Sequence, residues 1–229
     1  MKVYRYCLTV IFTMLLFACD KETEGLSKIT VPYDITLEGG ETVLVELGSP
    51  YEEPGYAASG ENETDVTNTV VVSGTLNTGT IGRYTLRYTV NNPEGAITVA
   101  KRTVIVFDPA TPTGFYKVSA DSYRTSPPSS EYASEPRLLV YQEESGAYFI
   151  SDFFGGYYSV GRGYGAAYET GGSVKINKAG EVSLSRSSLT PWGDQFSSVT
   201  GTYNADTQVF EIDLVWESGY TFHLILIKE

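Results

Sequence analysis

The residues best suited to chemistry lie between Phe149 and Gly172, where Phe149, Phe153, Phe154, Tyr157, Tyr158, Tyr164 and Tyr168 are interleaved with glycines. Aromatic faces stack on the apolar faces of sugar rings, and a glycine backbone lets a ligand approach closely. Trp192 sits in Pro191-Trp192-Gly193-Asp194, which offers an indole platform with a carboxylate beside it. The expected ligand-binding set is therefore Trp192, Tyr157, Tyr158, Tyr164 and Asp194, with a glycan as the ligand. The same rings have a plainer use. Aromatic residues dominate small β cores, and glycines make bulges and corners. The two uses part company over whether Trp192, Tyr157, Tyr158 and Tyr164 meet on one exposed face.

Other chemistries find less support. Asp152, Glu169, Asp194, Glu211, Asp213 and Glu217 supply carboxylates, but nothing in their spacing sets two of them across a cleft as glycoside hydrolysis requires. His223 is the only histidine and sits mid-strand between Phe222 and Leu224. It has no cysteine partner for zinc and no Ser-x-His arrangement, so it reads as structural or surface-borne. Gly161-Arg162-Gly163-Tyr164-Gly165 lacks the strand–helix setting of a nucleotide loop. Glu61-Asn62-Glu63-Thr64-Asp65 has hard oxygens but no fixed ligand spacing, and reads as a solvated loop. The expectation is a non-catalytic protein without cofactor or metal.

The elements that position these residues are strands. Helical periodicity is absent after the first residues, and turn signals recur as in sandwiches and barrels. Asp108-Pro109-Ala110-Thr111-Pro112-Thr113-Gly114 ends one apolar strand and reads as a linker. One domain is expected over 27–108 and a second over 113–229. In the first, strands are predicted over 35–38, 42–46, 70–73, 82–90 and 96–107. Tyr84, Leu86, Tyr88 and Val90 share one face of the fourth. In the second, a meander is predicted over 115–120, 137–142, 147–153, 173–176, 181–185, 199–203, 209–216 and 220–228. Eight antiparallel strands with short turns give either a lipocalin-like barrel or a sandwich, and propensity does not separate them.

The first residues carry three marks in order. Lys2 and Arg5 are a positive start, Leu8 to Phe17 is an apolar run too short to span a bilayer, and Leu16-Phe17-Ala18-Cys19 follows. This resembles the bacterial lipobox, which implies a signal peptide over 1–18 and lipidation at Cys19. A lipid-anchored tether over 19–26 would follow. Its Asp20-Lys21-Glu22-Thr23-Glu24-Gly25 resembles the acidic export tag of surface lipoproteins of the Bacteroidota, or is a plain flexible link. Multiple acyl chains hold a protein on a membrane where one chain does not. Loss of Lys2 and Arg5 takes the net charge from −12 to −14. That acidity argues against nucleic acid as a partner, because phosphate binding needs clustered Lys and Arg. With Cys7 removed and Cys19 lipidated, neither cysteine is left for a disulfide or a metal.

Glu46-Leu47-Gly48-Ser49-Pro50-Tyr51-Glu52-Glu53-Pro54-Gly55-Tyr56-Ala57-Ala58 resembles the G-x-x-Y-x-D-P-G-x-x-A stretch of bacterial immunoglobulin-like domains. Residues 82–90 and 102–106 resemble the G-x-Y-x-x-x-Y-x-V and R-x-V-x-V ending of the same domains. That resemblance implies a sandwich acting as a spacer or adhesion module. The whole arrangement resembles a two-domain surface lipoprotein family of gut Bacteroidota. It implies an outer-membrane, surface-exposed location and polysaccharide handling, with an outer-membrane protein partner as the alternative and a carbohydrate-active enzyme as a third reading.

Overall fold

The computed structural model describes residues 31–125, 132 and 135–229. The expected signal segment, Cys19 and the tether lie outside the described residues. The chain is all-β, as expected, with only short 3₁₀ and π turns between its strands.

Six strands make up the N-terminal part: β1 (Asp34–Leu37), β2 (Thr42–Glu46), β3 (Tyr56–Ser59), β4 (Val71–Ser73), β5 (Gly82–Asn91) and β6 (Ile97–Phe107). β1 pairs with β3, and a second sheet runs β2-β6-β5-β4, with β2 parallel to β6. The period-two pattern on β5 turns Leu86, Tyr88 and Val90 inward and leaves Arg83, Thr85 and Arg87 in solvent. Leu86 and Tyr88 meet Val45, Val104 and Val106 in an immunoglobulin-like core. β3 departs from the expected strands. Its Ala57-Ala58-Ser59 has little strand propensity, and pairing with β1 supplies what propensity lacks.

One buried cation organises this domain. Arg102 on β6 is fully buried and ion-pairs with Glu53. It also donates to the backbone oxygens of Glu38 (2.5 Å) and Gly55 (3.0 Å). Tyr88 (2.5 Å) and Tyr51 (2.8 Å) donate their hydroxyls to the same Glu53 carboxylate. Partial burial pushes Glu53 up, but the tyrosine hydroxyls, the Gly55 N–H and the Arg102 charge together hold its carboxyl below the ordinary value. Gly55 has φ 118°, and a Cβ added there would lie 2.5 Å from Glu38 Oε2. The residues that carry the family resemblance are thus the ones tied into this knot.

The C-terminal part holds β7 (Gly114–Val118), β8 (Tyr123–Arg124), β9 (Arg137–Gln142), β10 (Tyr148–Ile150), β11 (Gly172–Ile176), β12 (Glu181–Ser187), β13 (Phe196–Asn204), β14 (Val209–Trp216) and β15 (Thr221–Lys228). The sheet order is β14-β13-β12-β11-β10-β9-β7-β15, and β14 also pairs with β15. That last pairing closes the sheet into an antiparallel barrel and decides against a sandwich. The short β8 was not expected. It runs beside β15 beyond the end of β7, pairing Arg124 with Phe222 and Tyr123 with His223.

An eight-stranded barrel is only wide enough for its own side chains. Here Tyr116, Phe153, Phe154, Tyr157, Phe210 and Phe222, all fully buried, fill it. Antiparallel alternation sorts the connections by end. The tight turns at 143–147, 177–180 and 204–208 share the end where the linker enters. The connections 151–171, 188–195 and 217–220 lie at the far end.

Replacing Arg102 by Met leaves the Glu53 carboxylate without its cation and should cost about 3 kcal/mol. Both tryptophans lie in the barrel. In urea, far-UV circular dichroism should show an earlier first transition, while tryptophan emission keeps its midpoint. Unchanged circular dichroism would contradict this account of the knot.

Candidate functional site

The far end of the barrel carries the candidate site, and a buried carboxylate builds it. Asp152 follows β10 and accepts backbone N–H bonds from Phe154 (3.0 Å), Gly156 (2.8 Å) and Thr170 (3.0 Å). The chain between 152 and 170 is thereby closed at both ends onto one side chain. Gly156 takes φ 80°, and a Cβ there would lie 2.4 Å from Pro136. Between the closed ends the loop winds through a π turn, with Arg162 N–H bonding Tyr157 O (2.9 Å) and Tyr164 N–H bonding Tyr158 O (3.0 Å). Burial pushes the Asp152 carboxyl up to about 6, against the opposing pull of its three N–H donors.

This winding sorts the rings. Phe153, Phe154 and Tyr157 point into the barrel and are fully buried. Tyr157 therefore departs from the expected exposed set. Its ring packs against Tyr132, Tyr158 and Phe222 at 5.8, 4.9 and 5.6 Å. Tyr158 also departs from that set, being only 8% exposed and part of the barrel's core cluster, where it forms the floor of the rim. Tyr164 is 52% exposed and stacks on Tyr158 at 6.0 Å with planes 22° apart.

Trp192 joins this patch from the 188–195 connection. It is 47% exposed, with its ring 4.8 Å from Tyr158, 5.4 Å from Tyr168 and 5.3 Å from Trp216. Tilted and edge-on contacts of this kind each contribute about 1 kcal/mol beyond area burial, so the indole is held in place by its neighbours. Asp194 does a different job from the one expected. Its Oδ1 accepts the Trp216 indole N–H (2.7 Å) and the Thr190 hydroxyl. The carboxylate is thus tied to the rim's own scaffold and ties the Trp192 loop to β14.

Of the five expected residues, Trp192, Tyr158 and Tyr164 come together, Asp194 sits behind them, and Tyr157 lies below. Tyr168, Trp216, Tyr220 and Arg124 complete the rim. Trp216 was legible in principle, since the inward alternation Phe210, Ile212, Leu214 ends on it. Arg124 was not, because a two-residue strand has no period.

The other candidates lie elsewhere. Glu211 and Asp213 point outward from β14, and His223 stands beside them, with Nδ1 2.9 Å from Asp213 and the ring 4.9 Å from Tyr123. Glu217 accepts from Gln195. A cleft of about 750 Å³ lies between the two domains, lined by Arg83, Tyr141, Glu143 and Arg186.

Comparison with known proteins follows this geometry. A family model described as a bacterial surface protein Ig-like domain matches residues 35–106, and a C-terminal-domain model matches residues 107–228. The crystal structure of the lipoprotein BT2262 from Bacteroides thetaiotaomicron is 31% identical, with a TM-score of 0.70, covering 86% of this chain and 100% of that one. This chain belongs to the BT2262 family. The two-domain architecture expected from sequence is that of this family. The structure of CBM51-2 in complex with GlcNAc and INT domains from Clostridium perfringens ZmpB is 12% identical with a TM-score of 0.32, covering 86% of this chain and 44% of that one. A score that low does not establish a shared fold. No curated protein matches the chain.

Folding raises the Asp152 value, so its protonated form is the one favoured by the fold. Its contribution to stability is greatest below the unfolded value near 3.8 and is lost as pH rises through about 6. Carboxyl ¹³C shifts of Asp152 should titrate near 6. A midpoint below the ordinary aspartate value would show that the three N–H donors outweigh burial.

Proposed function

We propose that this protein is a non-catalytic, lipid-anchored module of the outer membrane that binds glycan at the barrel rim. The observation that carries the reading is the placement of Trp192 and Tyr164. Both are about half exposed, and both are locked by other rings at the barrel end opposite the linker. A filled barrel has no interior for a ligand, whereas a rim of fixed aromatic faces can stack on sugar rings without paying for side-chain ordering. The family's lipoprotein member supports an anchor at Cys19 behind a signal peptide over 1–18. In this reading the 19–26 tether and the immunoglobulin-like domain over 27–108 hold the 113–229 barrel off the bilayer, with the rim outermost. The surface description of the Ig-like family model supports that orientation.

A second reading, a structural or assembly protein that docks on an outer-membrane partner, draws on the first domain. Val71, Val72, Ile97 and Val99 are exposed there, on the short edge strand β4 and on β6. Crosslinking in cells would recover a stoichiometric protein partner if this reading holds, and none if the barrel acts alone.

Native membrane-extracted protein tests the first reading. Mass spectrometry should give an acylated peptide beginning at Cys19. Isothermal titration against a polysaccharide panel should give binding that Trp192→Ala weakens by about 2 kcal/mol, or roughly thirtyfold. An unmodified amino end would remove the anchor, and no heat from any glycan would remove the binding function.

A further inference from the structure

Arg124 stands apart from the other charged groups of the barrel. Residues directly opposite on paired strands share a face, and Arg124 pairs with Phe222, which points into the barrel. Its neighbour Tyr123 pairs with His223 and faces outward, as the stacking of those two rings shows. The Arg124 guanidinium therefore enters the mouth of the barrel from the inside. It lies 5.0 Å from the centre of the Tyr157 ring and 4.7 Å from that of Tyr220, and it faces the Tyr158 hydroxyl.

Aromatic faces stabilise the flat sides of a guanidinium but do not satisfy its in-plane N–H donors. Arg124 Nε is buried with no hydrogen-bond partner, as is Arg102 Nε, so the difference between the two lies in their carboxylates. Among the described residues, Arg102, Arg137 and Arg186 each pair with a carboxylate, whereas none lies within ion-pair distance of Arg124. Asp194, the carboxylate held within this ring cluster, is bonded to Trp216 and Thr190. A half-buried cation without a carboxylate beside it is costly unless an anion joins it. The planar fork of an arginine fits a carboxylate or a sulfate through two parallel N–H bonds.

The cation and the exposed platform are joined by one residue, since the Tyr158 ring is 4.8 Å from that of Trp192. We infer that the rim is built for glycans that carry an anionic group, a carboxylate or a sulfate, with Arg124 as the group that receives it. The inference rests on the glycan-binding reading and deepens it. The net charge, −12 for the full chain and −14 after loss of Lys2 and Arg5, does not oppose it at close range, because salt screens charges beyond about 8 Å at physiological ionic strength.

Titration of the full chain against matched pairs tests this: polygalacturonate with its carboxyl-reduced form, and a sulfated galactan with its desulfated form. The acidic member should bind at least about tenfold more tightly, and that gap should shrink between about 0.05 and about 0.5 M salt. Arg124→Gln should close the gap, Arg124→Lys should keep part of it, and Trp192→Ala should weaken both members. If the neutral members bind as tightly as the acidic ones, the glycan reading stands and the anionic preference falls. If no member binds, both fall. Should Arg124→Gln fail to fold, the matched pairs on the parent protein decide the matter.

Discussion

The barrel's far end depends on one buried carboxylate accepting three backbone N–H bonds. Asp152 receives Phe154, Gly156 and Thr170, and so fixes where the chain leaves β10 and where it returns to β11. Between those points the loop has few ways to wind, because Gly155 and Gly156 are both left-handed and Gly156 lies against Pro136. Phe153, Phe154 and Tyr157 are driven inward, and Tyr164 is carried outward. A separation of core rings from rim rings then follows from a single side chain, at the cost of holding a carboxyl where burial works against its charge.

The two domains place their arginines differently, Arg102 against a carboxylate and Arg124 among aromatic rings. In the first, Arg102 pairs with Glu53 and two backbone oxygens, and its Nε alone is left without a partner. In the second, Arg124 keeps a buried donor unused beside exposed rings.

Much of this was legible in the sequence, and the gaps have physical causes. The apolar residues at every second position from Val209 to Trp216 and from Tyr220 to Lys228, bounded by turn residues, located two barrel strands to within a residue, because one face of each lies in the core. Closure into a barrel was not legible, since β14–β15 pairing and a sandwich corner need the same local pattern. β3 escaped because alanine and serine carry no strand signal, and its pairing with β1 is a tertiary contact with no local pattern. Within the 152–170 loop, Tyr157 and Tyr164 are indistinguishable by composition. Loops have no period, and only the Asp152 bonds decide which ring is buried.

The central claim is that Asp152 sorts these rings into a filled interior and an exposed rim. Hydroxyl-radical footprinting of the full chain reads it residue by residue. Trp192 and Tyr164 should oxidise readily while Trp216 and Tyr157 stay protected, and Asp152→Ala should erase that contrast. Trp192 as protected as Trp216 in the parent protein, or an unchanged pattern in the variant, would contradict the account.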